Sequence, residues 1–492
     1  MKLSQLLSAL ALAITPPLAG AHLLPPRQAW SLSNLRLSPS TQVFSSTDPN
    51  FQTETTQRYT SHDAPTYLQS VKPALESDVQ KIVAYAAQRR IPFLATGGGH
   101  GFATTFGRLK NGLEIDMSGF NNISIDATAN TMTVGGAVAM GDLFTPLYNA
   151  GKEMPTGSAS CVGLLGATLG GGVGRLNGLH GLIIDSLLSV RIVTGTGRLV
   201  TASRTQNSDL FWGVRGAGFN FGIVTSATFQ VYNYTNGGQA MNADFLFPLS
   251  NAAQVVQYFH SMQATLPAEL ALILQTGYRQ ELGGQYLVVN AVYHGPQSLG
   301  LPLIQPLIAA GPIRQSITTV AYKDLLSASF FGMGGDTGPC TRHAKRDVYG
   351  LGLRTVDVPT VQGYVANLSA LFAAHPEYRD SVFFIEAFPS QAVRAVPDGA
   401  TAYPHRDINA HLLFNYGYTN DSQLPALDAF ATNARRQFAA TSGFGGVQTY
   451  VNYGHGDEGP APLYGSRKLG RLRELKRTWD PLGLFGFNIP FY

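Results

Sequence analysis

Two glycine clusters constrain this chain more than any other feature. Gly97, Gly98, Gly99 and Gly101 surround His100, while Gly157, Gly163, Gly166, Gly170, Gly171, Gly172, Gly174 and Gly178 crowd the stretch from Pro155 to Gly178. Backbone without side chains turns tightly and can approach a ligand closely. The first loop leaves a short strand, Phe93-Leu94-Ala95, which follows a helix whose Val79, Ile82, Val83 and Ala86 share one face. Ser77 and Gln80 read as the capping box that opens this helix, and Ile91-Pro92 ends it. The successive N–H groups of Gly97 to Gly101 form a nest suited to a pyrophosphate, with one imidazole standing inside it.

At 492 residues the chain exceeds one ordinary core, and its 44% apolar and 13% charged composition describes a globular protein. The net charge of +4 is small, and no dense Lys/Arg run marks a nucleic-acid surface. Lys2, the apolar run Leu6 to Ile14, Pro16-Pro17 and Ala19-Gly20-Ala21 read as a signal peptide over residues 1–21. No later stretch reaches the roughly 18 apolar residues of a membrane span. The expectation is a secreted monomer without nucleic-acid or membrane partners. Sequons at Asn122, Asn233, Asn367 and Asn420 are compatible with that route. Cys161 and Cys340 are too few for a disulfide scaffold, and the sequence leaves their pairing open.

Strand-like runs at Leu113 to Asp116, Ile123 to Asp126 and Thr131 to Val134 precede an amphipathic helix around Leu143 and Leu147 that Gly151 can cap. The pattern is α+β with mixed strand pairing. From residue 236 the glycine clusters thin out, and Tyr286 to Tyr293, Val382 to Ala387 and Ala410 to Tyr418 read as strands among helices. Residues 22–235, 236–445 and 446–492 are therefore taken as a first domain, a second domain and a tail returning to the first. The tail should contain a strand, Thr449 to Tyr453, and a basic helix, Ser466 to Thr478.

A GxGxxG match at Gly454 to Gly459 follows this strand, but Pro460 and Pro462 stand where a helix should begin, and Asp457 and Glu458 would repel a phosphate. It is rejected as a dinucleotide fingerprint. No P-loop, no GxSxG elbow and no His/Cys metal spacing occurs, so no metal site is expected.

Four ordered segments resemble one family. Thr96 to His100 is similar to the Arg-Ser-Gly-Gly-His loop of the berberine bridge enzyme-like branch of the vanillyl-alcohol oxidase superfamily. Pro155 to Gly174 resembles that branch's glycine-rich segment, Asp209 to Val224 its closing block, and Tyr450-Val451-Asn452-Tyr453 its C-terminal Tyr-x-Asn-Tyr motif. Trp479-Asp480-Pro481 and Phe485 fit the adjoining tail. The resemblance implies a two-domain PCMH-type FAD-binding flavoprotein of the oxygen-dependent FAD-linked oxidoreductase type, whose substrate domain is an antiparallel sheet covered by helices.

It further implies that His100 carries FAD covalently. Thr96, Gly97, Gly98, Gly99, Gly101, Gly157, Ser158, Val162, Gly163, Gly166, Ile223, Val224, Asn452 and Asn488 would line the cofactor. Many members add a second link from a cysteine two residues beyond the equivalent of Gly157. Ala159 stands there, and the ungapped spacing keeps Cys161 off that position. A single link is expected, with Cys161 a small buried side chain beside the flavin.

Val162 holds the place where a small residue admits dioxygen, favouring oxidase chemistry. Tyr453 is the expected catalytic group, assisting proton removal while hydride passes from a C–H next to oxygen or nitrogen to the flavin. A glutamate that several members place six residues after a Pro-aromatic-Arg segment is replaced by Leu412. His411, Asn415, Tyr416 and Glu386 are pocket candidates read as structural, with Leu412, Phe414 and Tyr416 on one face and His411 on the other. The expected substrate is a small, secondary-metabolite-like alcohol or amine, with O2 as acceptor and H2O2 as product. The alternatives are a redox-neutral isomerase or cyclase, a carbohydrate oxidase, or a binding protein on a degenerate scaffold.

Overall fold

In the computed structural model, residues 30–334 and 340–492 are described, so the signal-peptide reading at residues 1–21 lies outside them. Among the described residues the larger sheets have four, five and seven strands. The four-stranded sheet pairs Phe93–Thr96 and Tyr67–Lys72 parallel to Gly112–Asp116, with Gln42–Ser45 added antiparallel at one edge. The helix Glu76–Arg89 buries Val79, Ile82, Val83 and Ala86 against it. This helix starts at Glu76 with Leu75 as its N-cap and no side-chain cap bond. The expected capping box is absent because Ser77 already lies inside the first turn; Glu76 and Asp78 place negative charge there instead.

The antiparallel five-stranded sheet spans Ile123 to Gln230. Its core of Leu143, Leu147, Leu187, Phe211 and Trp212 also takes in Leu463, Tyr464, Leu469, Leu472, Leu475, Ile489 and Phe491, so the tail is packed into the first half of the molecule. The basic helix forms over Ser466–Trp479 and buries Leu469, Leu472 and Leu475 together with Lys468 and Lys476, whose ammonium groups donate to backbone carbonyls.

The seven-stranded sheet is antiparallel throughout. Its order is Arg314–Ala321, Gln239–Phe247, Gly284–Tyr293, Leu270–Arg279, Val382–Ala387, Ala410–Gly417 and Arg346–Leu353. The period-two alternation of its strands divides it into two faces. Leu270, Leu272, Leu274, Phe383, Ile385, Leu412, Phe414 and Tyr416 pack under helices that include Ala252–Met262, Val358–Ala374 and Leu424–Thr441. Ile273, Gln275, Phe384, Glu386, Leu413 and Asn415 point the other way, toward the glycine loops. Asn415 thus shares the face of His411, while Tyr416, a sequence-level pocket candidate, is core: its hydroxyl is 3.0 Å from that of Tyr364.

Val451–Tyr453 is a single 3₁₀ turn and not the expected strand, and it closes with Tyr453 N–H donating to the Tyr450 carbonyl. A short helix, Pro460–Tyr464, does follow the GxGxxG match, with Pro460 at its first position, where no N–H is needed. Glu458 accepts from the N–H groups of His455 and Gly456, so its own carboxylate occupies the space a phosphate would need.

The division of faces predicts unequal costs. Phe414→Ala should lower stability by about 3–5 kcal/mol through the cavity it leaves under the helices. Leu413→Ala, on the opposite face, should cost well under half of that, as read from the midpoint of denaturant unfolding.

Candidate active site

A cavity of about 930 Å³ lies between the glycine loops and the inner face of the seven-stranded sheet. Every expected cofactor-lining residue borders it: Thr96, Gly97 to Gly101 with His100, Gly157, Ser158, Val162, Gly163, Gly166, Ile223, Val224, Asn452 and Asn488, as does Tyr453. Two backbone approaches make it possible. A Cβ on Gly98 would lie 2.5 Å from the Gly163 nitrogen, and one on Gly163 would lie 2.9 Å from the Gly98 nitrogen. The two loops meet backbone to backbone, and no side chain fits at either position. The Ser158 hydroxyl is buried at the cavity wall without a hydrogen-bond partner, as expected of a group reserved for a ligand.

Loop geometry is held from outside. Tyr59 N–H donates to the Gly99 carbonyl (3.0 Å), its ring stacks on His100 at 4.2 Å between centroids, and its hydroxyl accepts from Asn415 Nδ2 (2.7 Å). Arg58 donates to the Gly101 carbonyl (2.9 Å) and Arg342 to that of Gly98 (2.7 Å). Neither Tyr59 nor the two arginines stand out in the sequence, because each sits far from the loop it supports.

The sheet face contributes rows of cross-strand neighbours. Ile273, Glu386 and His411 form one row, and Gln275, Phe384 and Leu413 the next. Tyr453 donates its hydroxyl hydrogen to Glu386 Oε2 at 2.7 Å. The polar partner of Tyr453, unassigned from the sequence, is therefore Glu386, on the strand beside Ala410–Gly417. Burial pushes the Glu386 carboxyl up to about 7, against the opposing pull of the Tyr453 hydrogen bond and of Arg175. Burial and the adjacent carboxylate together push the Tyr453 phenol well above its usual range. Arg175 is itself buried and donates to Asn290 Oδ1 (2.9 Å), which in turn donates to Asp244 (2.8 Å). Burial also drives the His411 imidazole down to about 3, so it stands neutral, edge-on to Tyr453.

Tyr450 accepts from Gly172 N–H (2.9 Å) and from Asn452 Nδ2 (2.6 Å), and Asn452 also donates to the Ala167 carbonyl (2.8 Å). A Cβ on Gly170 would lie 2.2 Å from Asn452 Oδ1. The tail turn is thereby docked on the second glycine segment, which sets where Tyr453 stands. Arg406, from the Pro-His-Arg segment, binds Asp185 with both terminal nitrogens (2.8 and 3.0 Å) and ties the sheet to the first half of the chain. Cys161 is not a free buried side chain: it forms a disulfide with Cys340, 179 residues away. The second glycine segment is thus joined covalently to the loop that carries Arg342, and the pairing has no sequence signal because the partners meet only through the fold.

Residues 68–203 match the family of FAD binding domains, and residues 449–490 the berberine and berberine-like family. The FAD-linked oxidoreductase azaL of Aspergillus niger is 46% identical over 450 residues, covering 91% of this chain and 95% of that protein. The chain belongs to the berberine-like FAD-linked oxidoreductases. BBE-like 1 of Physcomitrella patens superposes with a TM-score of 0.81 at 23% identity, over 92% of this chain and 97% of the other. The glucooligosaccharide oxidase of Acremonium strictum, described with 6-S-cysteinyl, 8α-N1-histidyl FAD, superposes with a TM-score of 0.79 at 19% identity, over 92% and 97%.

The residues present fit FAD: two loops in backbone contact at Gly98 and Gly163, an orphaned Ser158 hydroxyl and an apolar wall from Ile223, Val224 and Leu413. Gly98→Ala should force the two loops apart. The purified variant is expected to retain under half of the flavin, read as the ratio of absorbance at about 450 nm to protein.

Proposed function

We propose that this chain is a secreted oxidase in which FAD, bonded to His100 alone, receives hydride from a small hydroxylated or aminated organic molecule and is reoxidised by O2 to give H2O2. The observation that carries the reading is the Tyr453–Glu386 hydrogen bond inside the flavin cavity. FAD, when bound, supplies the electron acceptor. The protein supplies the base. A substrate O–H or N–H placed against the Tyr453 oxygen gives its proton to that oxygen as the phenol's own proton moves to Glu386 Oε2, so the proton ends on the carboxylate, its negative charge is relayed to the substrate, and no free phenolate forms. Arg175 offsets the negative charge left near Glu386 before the proton arrives. His411, neutral, adds no competing cation.

A carboxylate beside Tyr453, which the leucine at position 412 does not supply, favours the oxidase over a redox-neutral isomerase. A single link is supported by Ala159 and by the disulfide that consumes the Cys161 thiol. Val162 at the cavity wall favours access of dioxygen. The wall is mixed: Ile273, Phe384 and Leu413 stand beside Gln275, Arg279 and Asn415. An aromatic or alicyclic metabolite bearing one reactive hydroxyl fits such a surface better than a sugar chain, which would ask for a polar contact at nearly every ring position. Secretion is supported by the disulfide, which belongs to oxidising compartments, and by exposure of Asn122, Asn233, Asn367 and Asn420. No helix among the described residues is long and apolar enough to cross a membrane.

Acid denaturation of the purified protein is expected to leave the yellow colour with the polypeptide, and His100→Ala to release it. Flavin in the supernatant from the unmutated protein would refute the covalent link. Tyr453→Phe should reduce kcat by roughly 10²–10⁴-fold at unchanged flavin content. Because the base form of Glu386 is needed, kcat/KM should fall as pH drops through about 7, and Glu386→Gln should both lower the rate and abolish that limb. A pH profile identical in the variant and the native enzyme would contradict the relay.

A further inference from the structure

Outside the cavity, His62, Asp347 and His455 converge from three parts of the chain: the N-terminal segment, the strand Arg346–Leu353 and the tail loop beyond Tyr453. One ligand atom from each lies within 4.8 Å of the other two. Nε2 of His455 is 3.0 Å, and Nε2 of His62 3.5 Å, from Asp347 Oδ1. Two donors on a tetrahedral zinc, each about 2.1 Å from the metal, stand about 3.4 Å apart, so these separations need only small adjustment.

The outer nitrogens are also engaged. His62 Nδ1 is 2.9 Å from the Tyr418 hydroxyl, and His455 Nδ1 stands 3.1 Å from Asp457 Oδ1 as a charge contact outside hydrogen-bond geometry. An oxygen partner on the far nitrogen of each imidazole, with the near nitrogens turned to a shared carboxylate, is the arrangement that orients metal-binding histidines. The His455 ring is further fixed by stacking on Tyr349 at 4.0 Å between centroids. Asp347 is 1% exposed, and its Oδ2 has no hydrogen-bond partner. A buried carboxylate oxygen without a donor is costly unless a ligand completes it.

Charge points the same way. Asp63, Asp347, Asp428, Asp457 and Glu458 surround the two imidazoles, Arg435 pairs with Asp457 and Glu458, and Lys345, over the Tyr418 ring, pairs with Asp421. Apart from the imidazoles themselves, only the cations Arg435 and Lys345 stand near these five carboxylates. Their mixture of nitrogen and oxygen donors suits zinc better than the all-oxygen preference of calcium or magnesium.

We propose that His62 Nε2, His455 Nε2 and the Asp347 carboxylate bind one divalent cation of the zinc type, with water completing the tetrahedron. The ion joins three chain segments immediately beyond the turn that positions Tyr453. It takes no part in redox chemistry, and the inference is independent of the covalent flavin link and of the oxidase reading. The three residues are 285 and 108 positions apart by their numbers (347 − 62 and 455 − 347), which is why no ligand spacing appears in the sequence.

The test uses the flavin-loaded, full-length secreted protein. After dialysis with Zn(II) and removal of free metal, about one zinc per chain should remain, measured by plasma mass spectrometry, and the thermal midpoint should exceed that of chelator-treated protein. His62→Gln should weaken zinc binding by roughly 100-fold or more and remove the zinc-dependent rise, and the isosteric Tyr418→Phe should weaken it by roughly tenfold. Retained flavin absorbance shows that each variant is folded. Failure of the native protein to retain zinc, with the cluster neutralised by protonated imidazoles instead, overturns the proposal; so does equal zinc affinity in the native protein and His62→Gln.

Discussion

The contact on which the rest of the molecule depends is the backbone-to-backbone approach of Gly98 and Gly163. Each lies where a Cβ on the other would sit, so the two loops can share one wall of the cavity only while both positions lack side chains. From this contact His100 is presented on one side and Val162 on the other. Tyr59, Arg58 and Arg342 then hold the first loop by donating to its backbone carbonyls, and the disulfide from Cys161 to Cys340 makes the link to the second half of the chain covalent.

The opposite wall follows a different logic. A seven-stranded antiparallel sheet presents alternate residues to two environments, and helices bury one set completely. What remains for the cavity is the less apolar set: Glu386, Gln275 and Asn415 among Ile273, Phe384 and Leu413. A carboxyl group in such a place rises toward neutrality, which is the condition for a base that works near pH 7. The tail completes the arrangement by packing its helix into the first core and its 3₁₀ turn onto the second glycine segment, so that Tyr453 reaches Glu386 from across the cavity.

Much of this was legible beforehand where the signal is local. The strand before His100, the strands Val382–Ala387 and Ala410–Gly417, and the basic helix at the C-terminus all follow from periodicity and from turn residues. Short elements failed where local preference is weak: Val451–Tyr453 carries β-favouring residues, yet Tyr450 and Asn452 are recruited by Gly172 and Ala167 and curl the segment into a turn. The helix beginning at Pro460 was missed because proline was read as a breaker in a position where it is an initiator. Tyr416 was a pocket candidate in the sequence although the alternation that puts it on the face of Leu412 and Phe414 already separates it from Asn415.

By itself the sequence determined the two glycine loops, the histidine between them, the tyrosine of the tail and the alternating α+β pattern, because each is a property of neighbouring residues. Only the tertiary structure decided which carboxylate serves Tyr453, that Cys161 is spent on Cys340, and that His62, Asp347 and His455 share one space. Those pairings join residues tens to hundreds of positions apart. Strand register and the return of the tail set their distances, and neither leaves a trace in the spacing of the residues concerned.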